Sequence, residues 1–122
     1  MNPILKDDNT TISFFKEEVR EFVRERNWAK FHTPKNLIQA LSIEVAELSE
    51  IFLFKEYSLE TIRKNKEILE RLSDEIADVF IYLISLTNSV NVDLTDTFIK
   101  KMEKNRYKYS KEEFNNGSYR KL

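Results

Sequence analysis

Cysteine is absent from this 122-residue sequence, and glycine occurs once, at Gly117. Average usage of roughly 7% would supply about nine glycines. With only two prolines as well, few residues can make tight turns at positive φ. That disfavours a hairpin-rich β fold and favours long helices joined by short polar turns. It also removes every phosphate site built on a glycine-rich loop, the P-loop and the dinucleotide fingerprint alike. Without cysteine there is no disulfide framework, no Cys-based zinc site and no thiol nucleophile. A single histidine, His32, excludes two-histidine metal motifs, and no Ser-His-Asp pattern accompanies it. No apolar run approaches the ~20 residues of a membrane span. The start, MNPILKDDNT, lacks the basic-then-apolar layout of a signal peptide. The expectation is a cytoplasmic protein with no membrane partner.

What remains is a normal globular balance, 41% hydrophobic and 34% charged, with 20 basic against 21 acidic residues. The length implies one domain able to bury ~65% of its unfolded surface. Charge is unevenly spread. Residues 100–122 hold eight basic and three acidic side chains, a local +5, which leaves −6 on residues 1–99. A basic end on an acidic body suits a small polyanion held between the two, or simply a solvated helix face.

Apolar spacing predicts an all-α bundle of four main helices. The first runs from about Thr11 to Asn27, with Ile12, Phe15, Val19, Phe22 and Val23 on one stripe. The second starts at Thr33, an N-cap followed by Pro34 at the first helical position, and reaches about Phe54. A polar helix spans about Leu59 to Leu69. The third main helix, about Leu72 to Val90, is apolar nearly all round, which places it at the centre of a core or between copies in an oligomer. Asp93 resembles an N-cap, with Asp96 completing a capping box, for a fourth helix ending near Lys108. The domain is expected over 1–109, with an irregular tail at 110–122 carrying the turn signal Asn-Asn-Gly-Ser.

Acids sit where apolar residues belong. At 100° per residue, Glu44 falls between Ile51 and the Leu37/Leu48 row, and Glu47 between Phe54 and Ala40. On the third main helix Glu75 falls between Tyr82 and Leu86, with Asp78 beside it. Residues three apart share a helix face, so each helix turns a pair of carboxylates toward a packing surface. Burying ionised carboxylates is costly without counter-charge, and no Lys or Arg lies in either cluster. If the two helices face each other, the four acids form an all-oxygen site of the kind Mg²⁺ or Mn²⁺ prefers. A di-iron bundle would need Glu-x-x-His motifs, which are missing. The bland alternative is a partly exposed pair of acids salt-bridged to a neighbour.

The order Glu44-x-x-Glu47 followed by Glu75-x-x-Asp78 resembles the all-α nucleoside triphosphate pyrophosphohydrolases of the MazG-like superfamily. The chain is most similar to the dCTP pyrophosphatase branch. Three stretches carry the likeness: ERNWAKFHTPKNLIQALSIEVAELSEIF, LSDEIADVFIYLISL and VDLTDTFIKKMEKNRYKY. The resemblance implies Mg²⁺-dependent hydrolysis of a (deoxy)nucleoside triphosphate, a pyrimidine such as dCTP, to the monophosphate and pyrophosphate. It matches Glu44, Glu47, Glu75 and Asp78 to metal-binding acids, and Trp28, His32, Tyr82, Lys101 and Asn105 to substrate contacts. It also implies a homodimer or homotetramer. Two positions depart from the branch: Phe54 stands where a second pocket Trp is found, and Val19 where animal enzymes place a His on the first helix.

These residues make a coherent mechanism. On the resemblance, the expected reaction is in-line attack of water on the α-phosphorus, with Glu47 expected to orient or deprotonate that water and Glu44 to complete the catalytic acids. Lys101, with Arg106 or Lys104 in reserve, would offset charge on the leaving pyrophosphate. Each accessory residue also has a packing reading: Trp28 as a core plug, His32 as a loop residue, Tyr82 as a core aromatic. The alternative of another class is a non-catalytic helical oligomerisation module. Nucleic-acid binding has only the basic end, with Tyr107, Tyr109 and Phe114 as nearby rings, in its favour.

Overall fold

A computed structural model describes residues 3–122. Those residues form an all-α structure of six helices: α1 Ile12–Glu25, α2 Pro34–Glu50, α3 Leu59–Lys64, α4 Lys66–Val90, α5 Leu94–Lys108 and α6 Lys111–Phe114. A single 3₁₀ turn, Ala29–Phe31, lies between α1 and α2. The chain divides into two compact units, Met1–Asn91 and Val92–Leu122.

Side-chain caps begin every helix. Thr11, Thr33, Ser58, Asn65, Asp93 and Ser110 each accept a hydrogen bond from a backbone N–H of the first turn they precede. Each satisfies a donor that the helix itself leaves unpaired. The starts at Thr33-Pro34 and Asp93 match expectation, and α5 ends at Lys108 as expected.

Three boundaries differ from expectation. Helix α2 stops at Glu50, because the next bonds tighten to i→i+3 (Phe52 to Ser49, Leu53 to Glu50, Lys55 to Phe52) and Phe54 turns left-handed at φ 58°. The polar helix is only Leu59–Lys64, and α4 begins six residues before Leu72. Asn65 is responsible for both: extended itself, it ends α3, and its side chain caps α4 through the Ile68 N–H at 3.0 Å. The tail is partly helical. Its single turn, α6, is capped by Ser110.

In the first unit α2 packs most extensively on α4, and α1 and α3 pack on α4 too. The 25-residue α4 is thus the central element its all-round apolar character predicts. Leu37 of α2, Ile51 just past its end and Ile84 of α4 are buried apolar residues of this unit, and Phe15 meets Phe80 edge-on at 5.2 Å between ring centres. Much apolar surface stays outside, including Ile38, Ile43 and Val45 on α2 and Ile76 and Ile81 on α4. In the second unit, the tail folds back on the end of α5. Phe114 packs against Tyr109 at 5.4 Å, Arg120 lies over Phe114 and pairs with Glu113, and the Leu122 N–H donates to the Tyr109 hydroxyl at 3.0 Å.

Candidate functional site

Helices α2 and α4 bring the acids together. One carboxylate oxygen each from Glu44, Glu75 and Asp78 lie within 4.8 Å of one another. Glu44 and Glu75 are half-buried, and Asp78 is exposed at the rim. Glu47 is also exposed, so the expected burial of all four acids is corrected at these two positions. The reason is position along the helix: Glu44 lies between the buried Leu37 and Ile51, whereas Glu47 is one turn further round α2.

The cluster is electrostatically unfinished. The Glu44 Oε2 and Glu75 Oε2 atoms are buried without a hydrogen-bond partner. No ion pair among the described residues includes any of the four acids. Burial, then the hydrogen bond and charge of Glu47, then the charges of Asp78 and Glu75, push the Glu44 carboxyl up to about 7. Burial first, then the Glu47 and Asp78 charges, raises Glu75 as well. Clustered carboxylates with orphaned oxygens and no cation are what a hard, oxygen-preferring divalent ion satisfies. The donor set fits such an ion: three convergent carboxylates, with neither imidazole nor thiolate among them.

The other anticipated residues are distributed more widely. Tyr82 is half-buried on α4, one turn beyond Asp78. Trp28 is 43% exposed and packs edge-on against Phe22 at 5.8 Å, so it is no core plug. Phe54 is 99% exposed just past the end of α2. Lys101 is exposed and Asn105 half-buried on α5, in the second unit.

His32 belongs to a feature that the apolar periodicity does not reveal. It lines a cleft of about 400 Å³ at the end of the α2–α4 pair opposite α3, with Val19, Val23, Arg20 and Arg24 of α1 and Ser85, Asn88 and Ser89 of α4. Ser89 Oγ donates to the His32 carbonyl at 3.3 Å, which ties the start of α2 to the end of α4. The two helices are therefore antiparallel, with acids and cleft at successive levels. Asn88 joins α4 to α1: its Oδ1 accepts from Arg20 at 2.9 Å, and its Nδ2 donates to the Lys16 carbonyl at 3.0 Å. The available signal was the run Ser85, Thr87, Asn88, Ser89, polar residues ending an otherwise apolar helix.

Sequence comparison agrees with this architecture. A model of the MazG-like family matches residues 39–121, a span that holds all four acids. The chain belongs to the MazG-like family. Within it, rat dCTP pyrophosphatase 1 is 43% identical over 91 residues, 73% of this chain and 53% of that protein. The human dCTP pyrophosphatase 1 is 42% identical over the same length. The chain thus spans about half the length of the curated relatives it matches. A pyrophosphatase from Archaeoglobus fulgidus, known from its crystal structure, superposes with a TM-score of 0.75 at 38% identity. That match covers 88% of this chain and 99% of the archaeal one. As a MazG-like protein the chain has the all-α architecture its sequence predicts. No helix among the described residues is long and apolar enough to cross a membrane.

Proposed function

We propose that this MazG-like chain hydrolyses a (deoxy)nucleoside triphosphate, of the pyrimidine class that includes dCTP, to the monophosphate and pyrophosphate. The observation that supports it most is the unpaired carboxylate cluster on two packed helices, in a chain similar to named pyrophosphatases. Glu44, Glu75 and Asp78, with Glu47 beside them, would hold Mg²⁺, or Mn²⁺ in its place. Bound there, the ion would supply positive charge between carboxylates and triphosphate and polarise the phosphoryl oxygens.

The chain's own groups do the rest. Glu47 is exposed next to Glu44. It orients the attacking water and takes its proton on a carboxylate oxygen. Water oxygen bonds to the α-phosphorus, the α–β bridging P–O bond breaks, and pyrophosphate departs with that electron pair. Tyr82, one turn from Asp78, contacts the sugar, while His32, Trp28 and Phe54 serve the nucleoside end. Lys101 and Asn105 enter on the family pattern alone, as contacts to the substrate.

The test is a panel of nucleoside triphosphates with Mg²⁺, scored for pyrophosphate against orthophosphate. Pyrophosphate is the expected product, and omission of the metal is expected to abolish it. Orthophosphate alone, or no product across the panel, sinks the proposal.

The active species is proposed to be a homodimer or homotetramer. Ile76 and Ile81 of α4 are 52% and 44% exposed, and Ile43 and Val45 of α2 are 60% and 47% exposed. Apolar exposure of this extent on two helices marks an interaction surface. Light scattering is expected to return two or four times the mass of one chain. Ile81→Asp is expected to lower that figure, because a new charge opposes its burial between copies. A monomeric wild-type protein would refute the assembly.

A further inference from the structure

The cleft beyond the acids carries a preference of its own, and its assignment rests on the pyrophosphohydrolase activity proposed for the acid cluster. On α4, Glu75, Asp78, Tyr82, Ser85 and Ser89 fall along one stripe, three or four residues apart. Asp78 to Ser85 is seven residues, about 10 Å along the helix axis. A nucleotide whose phosphates meet the acids therefore reaches the cleft with its base.

The hydrogen-bonding character of that cleft is one-sided. Its lining residues include two arginines, Arg20 and Arg24, and no Asp or Glu. Arg20 is held from two sides, by Glu17 at 2.7 Å and Asn88 at 2.9 Å. Its fork is therefore fixed in place with N–H groups to spare. Arg24 lies exposed on α1 and also lines the cleft, and its guanidinium carries N–H donors and no acceptor. Asn88 Oδ1 accepts from Arg20, and one of its two amide N–H donors goes to the Lys16 carbonyl, which leaves it one N–H donor and one lone pair. Ser89 has already spent its proton on the His32 carbonyl and keeps lone pairs only. Glu17 offsets the charge of Arg20, so the bias lies in the N–H donors of the two arginines, with Ser85, Ser89, Asn27 and His32 as the lesser acceptors.

We infer that the cleft selects bases whose edge presents carbonyl oxygens, uracil and thymine, over cytosine, whose exocyclic amino group would face N–H donors. Arg20, Arg24 and Asn88 are the specificity-determining residues. Arg20 and Arg24 are exposed, so the difference lies in what the base gains: a carbonyl oxygen accepts from these N–H groups, whereas an amino group gives up its own water and finds no acceptor in exchange. Val19 and Val23 form the apolar wall of the cleft and discriminate neither base.

The experiment compares kcat/KM for dUTP and dTTP with that for dCTP, using the full chain and Mg²⁺. The keto nucleotides are expected to lead by about tenfold or more, the effect of one well-placed hydrogen bond. Arg24→Glu replaces donors with acceptors at an exposed position and is expected to reverse or collapse that ratio. Arg24→Gln, which keeps both kinds of group, should fall between. A second arm needs no turnover: thermal stabilisation of the metal-free protein by dUMP, dCMP or inorganic phosphate. Greater stabilisation by dUMP than by dCMP supports the inference. Equal stabilisation by inorganic phosphate and dUMP would assign the cleft to an anion and overturn it. Pyrophosphate release with dCTP equal or preferred also overturns it, while leaving the reaction in place. Absence of pyrophosphate from every nucleotide defeats the pyrophosphohydrolase activity itself.

Discussion

Glu75→Gln is expected to abolish turnover, by roughly 10³-fold or more in kcat, and to make the metal-free protein more stable. The two halves come from the same atoms. Glu75 Oε2 is buried without a partner, within reach of Glu44 and Asp78. As a carboxylate it is one of three charges held together with no cation. As a carboxamide it keeps its shape and can donate to Glu44, so the repulsion falls. A divalent ion, however, loses one charged ligand of the set, and several kcal/mol of transition-state stabilisation correspond to the stated rate loss. The checks are pyrophosphate release, calorimetric titration with Mn²⁺, and thermal unfolding in chelator. An inactive variant that is also less stable would make Glu75 a structural acid. An active one would remove the cluster from the chemistry.

The same electrostatics fix a pH dependence for the metal-free protein. The Glu44 pKa rises from 4.5 to about 7 on folding, so the folded state binds more protons than the unfolded one between those values. Stability is therefore fully present below about 4.5 and lost as pH rises through about 7. In chelator the unfolding temperature is expected to be lower at pH 8 than at pH 5. Saturating Mg²⁺ should shrink that difference, because it supplies the missing positive charge. A temperature that rises with pH in chelator would contradict the raised carboxyls.

How much was legible in the sequence depended on whether a signal was local. The starts at Thr33-Pro34 and Asp93 are written in the capping residues themselves. The acid cluster was legible because Glu44 breaks an apolar arc between Leu37 and Ile51, and both of those are buried. Asn65 was harder: an asparagine inside a polar run reads as helix surface, yet it ends one helix and caps the next. The end of α2 was missed because Ile51, Phe52 and Leu53 continue the apolar pattern while their hydrogen bonds change register. The cleft was least accessible. Its Arg20–Asn88 bond joins residues 68 apart in sequence, and no periodicity within one helix can report such a pairing.

Phe54→Gly is expected to raise the unfolding temperature and lower kcat/KM together. Phe54 adopts φ 58° and is 99% exposed, so its ring buries nothing within the chain while its backbone sits in the left-handed region. For a non-glycine residue that conformation costs on the order of 1–3 kcal/mol. Glycine removes the strain but has more freedom to lose on folding, ~0.5–1 kcal/mol. The net gain is about 1 kcal/mol, or roughly 4 °C in a domain of this size. A bulky aromatic kept where glycine fits better points to a role for the ring outside the isolated chain's core. In the proposed function that role is contact with the nucleoside end of the substrate, and its loss is expected to cost about tenfold or more in kcat/KM, one apolar contact's worth. Phe54→Asn is the control, since asparagine tolerates the left-handed region but offers no ring. Loss of activity in both variants, with folding intact, assigns the effect to the ring. Full activity in either would leave Phe54 as a strained helix end and remove it from the site.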